Sequence, residues 1–408
     1  MDPSIAILSF ICDPATEHPL RPLHRRIPPP TRRNRSRALK VLHLVAPASF
    51  GGLERVVHAL AVGQKKRGYD VEVIALLETG AAKPSLIAEL HGASIKAIPV
   101  TKSARAFRAQ RRLVRDICRQ LAPDVLHSHG YLPDVLSASL GRSLRAARVS
   151  TVHGFTGGRW KNRFYEWMQR RSYSRFNAVV AVSRPLAVRL GASRASRRRV
   201  HALPNAWMQT GDLMSPESAR AALGLTRDTF NIGWVGRISR EKGPDILLEA
   251  LPLLKDLPVH VTMIGEGAER DRFERRAKEL HVEQRVSWRG EVAAASRLMA
   301  AFDLFVNSSR TEGTPITLFE AMHAGVPIVA TSVGGVPDVV SGNEAILIQP
   351  EDRAALASAI REVYQSRAEA GTRSAAARKR LAEKFAAGPW IDSYEHIYRQ
   401  AITARSHA

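Results

Sequence analysis

Residues 302–340 read FDLFVNSSRTEGTPITLFEAMHAGVPIVATSVGGVPDVV, and the rest of the chain is read outward from them. Phe302 to Val306 is short and apolar and runs into polar residues, the pattern of a strand buried in a parallel sheet. A tight loop, Ser308 to Pro315, follows. Proline is tolerated in a helix's first turn, so the spacing predicts a helix over Ile316–Ala324 that stops at Gly325. Pro327 then leads into the next strand, Ile328–Ala330. Two carboxylates sit in this unit, Glu312 in the loop and Glu320 in the helix, with seven residues between them. A loop at the carboxyl end of a parallel strand that feeds a helix N-terminus is where α/β sheets hold anionic ligands. Backbone N–H groups of Gly313 and Thr314 are expected to face a sugar or phosphate there, and the turn Gly334-Gly335 is expected to offer more.

The same strand–helix rhythm extends in both directions. Leu39–Val45 reads as a first strand, and Gly51-Gly52 opens a helix that runs to about Arg67. Further strands are expected at 71–77, 94–100, 124–127, 149–153, 178–183 and 200–203. The pattern breaks near Pro204-Asn205, and a second series begins at 230–235. It continues at 260–264, 286–288, 303–306, 328–330 and 345–348. Alternation of this kind predicts an α/β protein with doubly wound parallel sheets.

The run Glu312-Gly313-Thr314-Pro315, Glu320-Ala321-Met322, Ala324-Gly325-Val326-Pro327, Ala330-Thr331 and Gly334-Gly335-Val336-Pro337 closely resembles the Glu-x7-Glu signature of retaining glycosyltransferases of family 4. The resemblance covers about residues 39–400 and implies the GT-B fold, two Rossmann-like domains facing across a cleft. Boundaries follow: a basic Pro/Arg-rich tail at 1–38, read as disordered; an acceptor-binding domain at 39–208; a nucleotide-sugar-binding domain at 209–386; and a C-terminal helix at 387–408 that crosses back to the first domain. Two departures stand out. Ala206 follows Asn205 where the family has glycine at the domain crossover, and Asp338 stands where glutamate is common.

The 408 residues suffice for two or three domains with full cores. Cys12 and Cys118 cannot build a disulfide framework, which points to a reducing compartment. No run approaches the roughly 18 apolar residues of a membrane span. The net charge of +23 is uneven: +5 over residues 1–40, +19 over 41–208 and −1 over 209–408. An excess confined to the N-terminal half predicts an anionic partner for that half, nucleic acid or an anionic membrane surface. Two basic amphipathic segments favour the membrane. One, 102–121, carries Lys102, Arg105, Arg108, Arg111, Arg112, Arg115 and Arg119. The other, 160–176, mixes Arg163, Arg170 and Arg171 with Trp160, Phe164 and Trp167.

Gly51 and Gly52 let the backbone approach a ligand at a helix N-terminus, where the dipole favours negative charge. Gly265-Glu266-Gly267 is a fragment of a dinucleotide fingerprint and no more, which weakens a nicotinamide reading. In Gly236-Arg237-Ile238-Ser239-Arg240-Glu241-Lys242-Gly243, two cations stand at a strand end. Arg grips phosphate with paired hydrogen bonds and Lys acts as a point charge. The resemblance implies that Arg237 and Lys242 bind the donor diphosphate. It also implies that Glu312 contacts the donor sugar, that Glu320 contacts the ribose hydroxyls, and that His153 lies near the transferred sugar. Gly51, Gly52, Gly265, Glu266, Gly313, Thr314, Pro315 and Ile316 complete the expected donor site. His127 and His129 share a strand face, a spacing compatible with metal, yet no third or fourth ligand is placed. No Asp-x-Asp occurs.

The expectation is therefore a metal-independent retaining glycosyltransferase with no cofactor, moving a hexose-type sugar from a UDP- or GDP-sugar to a lipid-linked or polysaccharide acceptor in cell-surface glycan synthesis. It would work in the cytoplasm, peripheral on the inner face of the cytoplasmic membrane, with no nucleic-acid partner. Two alternatives stay open: a GT-B nucleotide-sugar 2-epimerase, and a non-catalytic basic protein binding lipid or nucleic acid.

Overall fold

The computed structural model describes residues 38–47, 51–80, 84–101, 106–141, 144–155, 160–191, 199–209, 211–226, 228–292 and 294–406, with 160–162 as backbone only. The tail at 1–37, Cys12, Lys102 and Arg105 lie outside these residues.

The chain folds into two Rossmann-like units, each a parallel sheet with helices on its faces. The first sheet contains β1 (Lys40–Val45), β2 (Asp70–Leu77), β3 (Lys96–Thr101), β4 (Val125–His129), β5 (Ala147–Val152), β6 (Ala178–Ala181) and β7 (Val200–Ala202), in the order β3-β2-β1-β4-β5-β6-β7. Its helices are α1 (Gly52–Lys66), α2 (Ser85–Gly92), α3 (Phe107–Leu121), α4 (Tyr131–Ser139), α5 (Trp160–Ser172) and α6 (Arg184–Leu190). After α7 (Pro216–Leu223), the second sheet contains β8 (Phe230–Val235), β9 (Val259–Ile264), β10 (Val286–Trp288), β11 (Leu304–Asn307), β12 (Ile328–Thr331) and β13 (Ile346–Ile348), in the order β10-β9-β8-β11-β12-β13. Its helices are α8 (Pro244–Ala250), α9 (Arg270–Glu279), α10 (Ile316–Ala324), α11 (Val336–Val339), α12 (Arg353–Gln365) and α13 (Arg367–Lys384).

Both sheets reverse direction once. The first turns between β1 and β4, and the second between β8 and β11. Such switch points leave a crevice at the strands' carboxyl ends, because the flanking loops depart to opposite faces. The crevice residues are thereby fixed: the loops after β1 and β4 in one unit, and those after β8 and β11 in the other.

Strand alternation divides the first core. Leu42 and Leu44 of β1 face Ile74, Leu76, Val114 and Cys118. Val41 and Val45 face the other way, onto Val57 and Leu60 of α1. This second face is closed by α14 (Ala387–Ser406), the last helix of the chain, through Trp390, Ile391, Tyr394, Ile397 and Tyr398. The second unit has its own core, built around Ile232, Trp234, Val261, Leu304 and Val306. The chain crosses between units twice, and the crossings touch: the Trp207 N–H donates to the Phe385 carbonyl at 2.8 Å. Ala206, where the family has glycine, is buried in the first core, while Trp207 packs against the second unit. Among the described residues, no helix is long and apolar enough to cross a membrane.

Candidate active site

A cavity of about 480 Å³ opens between the two switch points. On the second unit's side it is lined by Arg237, Lys242, Glu312, Gly313, Thr314, Pro315, Ile316 and Glu320. Gly51, Gly52, Arg55, His153 and Gly154 line it from the first unit.

The loop after β11 is braced from behind. Ser308 Oγ donates to the Gly243 carbonyl at 2.6 Å and receives the Trp234 Nε1–H at 3.2 Å. Arg310 clasps both Asp245 carboxylate oxygens, at 2.8 and 2.9 Å. This scaffold presents Glu312 to Lys242, whose Nζ lies 2.8 Å from each carboxylate oxygen. Ser309 Oγ donates to the same carboxylate at 2.6 Å. The Glu312 side chain is only 5% exposed, so the pair is held in a poorly hydrated place. Arg237 is exposed at the rim. Glu241, between these cations, also lines the cavity, and burial raises its carboxyl above the usual range.

Gly313 sits where the units meet. A Cβ there would stand 2.2 Å from the His153 carbonyl oxygen, so glycine alone permits the approach. Thr314 Oγ1 donates to the Val182 carbonyl across the same seam. Asp338 does not line the cavity; its carboxylate accepts the Arg184 N–H at 2.7 Å. The turn Gly334-Gly335 also differs from expectation. The Gly335 N–H donates to the Glu312 carbonyl at 3.3 Å, bracing the signature loop from within the protein.

Glu320 is fully buried on α10 and forms an ion pair with Arg55, which reaches over from α1. Gly265 and Glu266 are not among the cavity's lining residues. Gly265 packs on the backbone of Gly236, where a Cβ would meet the carbonyl oxygen at 2.0 Å. Glu266 instead pairs with Arg270 at 2.6 Å.

His153 lies on the cavity wall and leads into a buried polar cluster. Its Nε2 is 3.4 Å from His129 Nδ1. His129 Nε2 is 3.0 Å from His43 Nδ1, and His43 Nε2 is 2.8 Å from Gln64 Oε1. His127 bonds to Tyr398 at 2.7 Å and to Thr151 at 2.8 Å. Burial pulls His43 and His153 down to about 4 and lowers His127 and His129 well below the usual range. The structure thus adds His43 as a third histidine, with one ring nitrogen from each of His43, His127 and His129 within 4.8 Å of the others.

Residues 229–366 match the family described as Glycosyl transferases group 1, and residues 50–206 match Glycosyltransferase Family 4. The two matches take one unit each and meet at the cavity. The chain belongs to the family 4 glycosyltransferases. A candidate teichuronic acid biosynthesis glycosyltransferase of Bacillus subtilis, TuaC, is 30% identical over 59% of this chain and 61% of its own length. The glycogen synthase of Mycobacterium tuberculosis is 26% identical over 86% of this chain and 91% of its own. The Anabaena protein HepE, solved with UDP-glucose, superposes with a TM-score of 0.77 at 21% identity, covering 91% of this chain and 100% of that one.

Sequence reasoning missed several residues that line this glycosyltransferase's cavity. Arg55 follows the glycine turn by one helical turn, a spacing that places it at the cleft. Tyr165, Glu166 and Gln169 come from α5 and share the spacing of one helix face. Asn307 and Ser309 flank the Glu312 carboxylate and belong to the quoted signature itself.

Proposed function

We propose that this glycosyltransferase is retaining and metal-independent, and transfers a hexose-type sugar from a UDP- or GDP-sugar to a lipid-linked or saccharide acceptor. One observation carries the reading: Arg237, Lys242, Glu312 and Glu320 meet in one cavity with Gly51, Gly52 and His153. Arg237 and Lys242 take the diphosphate and stabilise the negative charge that grows as it leaves. Glu312 accepts hydrogen bonds from the donor sugar, and Glu320 from the ribose. The UDP-glucose bound by HepE supports a nucleotide-sugar donor. In this reading the acceptor attacks the face the diphosphate leaves, and a leaving phosphate oxygen takes its proton. Metal independence is supported by the two cations at the phosphate side. It is supported too by the histidine cluster, whose ring nitrogens already engage Gln64, Tyr398, Thr151 and one another.

The acceptor enters over α5. This helix lines the cavity with Tyr165, Glu166 and Gln169 and also exposes Phe164 and Trp167, whose rings stack at 5.9 Å. Arg163, Arg170 and Arg171 are exposed on the same helix, and Arg108, Arg112 and Arg119 on α3. Aromatic and cationic side chains on one surface suit an anionic lipid interface, so the acceptor's lipid end would lie at the cytoplasmic membrane face.

The test incubates the purified chain with a lipid extract and a panel of UDP- and GDP-sugars, in EDTA, and reads products by mass spectrometry. A glycosylated lipid with α-configuration from an α-linked donor supports the reading. Free epimer from donor alone would instead show the epimerase. No protection against melting by any nucleotide sugar would favour the binding protein.

A further inference from the structure

The buried cluster behind His153 has a direction. Gln64 turns its amide oxygen to His43 Nε2 at 2.8 Å and its amide nitrogen to Tyr398 Oη at 2.9 Å. An amide oxygen only accepts, so the His43 proton sits on Nε2 and its Nδ1 is bare. That bare nitrogen accepts the His129 Nε2–H at 3.0 Å. His129 Nδ1 is then bare in turn and accepts the His153 Nε2–H at 3.4 Å. The other branch obeys the same logic. Tyr398, having received the Gln64 N–H, donates to His127 Nδ1 at 2.7 Å, and His127 Nε2–H donates to Thr151 Oγ1 at 2.8 Å. His43, Gln64, His127, Tyr394 and Tyr398 are fully buried and His129 is 1% exposed, so no bulk water interrupts the chain. A dry network of this kind fixes its own polarity.

We propose that His43 and His129 are positioning residues that, with Gln64, form a one-way relay holding the His153 proton on Nε2, so that Nδ1 meets the donor sugar as an acceptor only. The inference rests on the proposed function for the presence of a sugar there. It deepens that reading by naming what the sugar must offer. A bare imidazole nitrogen accepts a hydroxyl proton and has none to give to a carboxylate. The donor group facing His153 is therefore a hydroxyl, and the transferred sugar is a neutral hexose in preference to a uronate.

Tautomers are read directly by long-range proton–nitrogen NMR on the full chain with 15N-labelled histidine at pH 7. His153 is expected with Nε2 protonated and Nδ1 unprotonated. A proton on His153 Nδ1, the result of a reversed Gln64 amide, would overturn the proposal. Gln64→Leu is expected to mix the His129 and His153 tautomers and to lower kcat/KM about tenfold, the scale of a misoriented cleft group. Gln64→Glu, whose protonated carboxyl can accept from His43 and donate to Tyr398, is expected to restore both readouts. Unchanged His153 signals in Gln64→Leu would count against the relay, as would equal kcat/KM for UDP-glucose and UDP-glucuronate against its consequence. The wild-type spectra judge the relay without any donor. Failure of every nucleotide sugar to bind would count against the proposed function alone.

Discussion

Lys242 and Glu312 hold one another in place, and neither can be removed without leaving a charge in a poorly hydrated cleft. Lys242→Ala and Glu312→Gln are each expected to lower kcat/KM by about a hundredfold or more, the scale of a lost charge-stabilising group. Circular dichroism should report an unchanged fold; near wild-type transfer in either variant would remove its assigned role. The cleft position of these residues is legible in the sequence because each follows a strand end. Their partnership is not, since 70 residues separate them. The ionisable groups behind the cleft set a pH dependence of stability. Burial takes His43 and His153 down to about 4, and it also lowers His127 and His129 well below the usual imidazole range. Unfolded imidazoles gain protons near pH 6.5, about where the folded rings still refuse them. The unfolded state thus binds more protons as pH falls from about 6.5 to 4, and stability drops through that window. Asp134 has the opposite sign. It is fully buried, accepts from Ser128 at 2.5 Å and Gln169 at 2.7 Å, and burial raises it to about 7. From about pH 4 to 7 the folded state keeps a proton that the unfolded chain has lost, so this carboxyl lowers stability as pH rises. The histidines outnumber it. The melting temperature is expected to fall on acidification from pH 7 to 5, and to fall more steeply in Asp134→Asn. A melting temperature that climbs toward pH 5 would contradict this account.

At the scale of elements, every strand of both sheets was legible, because parallel strands buried on two faces read as short apolar runs between turn residues. Helix α10 was legible to the residue, since Pro315 and the left-handed Gly325 bound it. The histidine cluster was not. It needs β1 beside β4, with His43 paired to His127 in register, and then α14 laid over both. Nothing local records that juxtaposition. Tyr398 on α14 joins the Gln64 amide to His127, so Tyr398→Phe leaves a buried donor and a buried ring nitrogen unpartnered. Urea denaturation is expected to show a loss of about 1–3 kcal/mol; a loss under half that would mean the hydroxyl is not needed to hold α14. Helix α5 carries a different kind of claim. Phe164 is 51% exposed and Trp167 59%, an arrangement that α5 does not need for its own packing. Phe164→Ala with Trp167→Ala is expected to weaken sedimentation with phosphatidylglycerol vesicles about tenfold, from the apolar area withdrawn from lipid. Binding should also weaken with added salt and be absent on phosphatidylcholine. Equal binding to neutral vesicles would dismiss the electrostatic part.

For the whole molecule, the seam between the units decides whether the two walls of the cavity act together. Each contact named there has a main-chain group on at least one side. Gly313 lies against the His153 carbonyl, Thr314 bonds to Val182, the Asn205 N–H reaches Thr314 Oγ1 at 3.4 Å, and Asp338 receives the Arg184 N–H. At Gly313 the seam cannot yield by a rotamer change, because both Gly313 and the His153 carbonyl are main chain. Gly313→Ala would place a methyl group 2.2 Å from the His153 oxygen and 3.0 Å from Val182 Cγ2. Val182 is the core residue that the methyl meets, and a few tenths of an ångström of movement there relieves that contact, so each unit should still fold and melt close to the wild type. What changes is the approach of His153 to Glu312. Gly313→Ala is therefore expected to lower kcat about a hundredfold, as misplacement by an ångström does, and to enlarge the radius of gyration in small-angle scattering. Asp338→Ala removes from the seam one hydrogen bond and a 3.8 Å ion pair, both with Arg184, and adds no clash, so its effect on both readouts should be smaller. If Gly313→Ala kept full turnover and the wild-type radius, catalysis would not depend on the units meeting at this glycine, and the shared cavity would have to be explained without the seam.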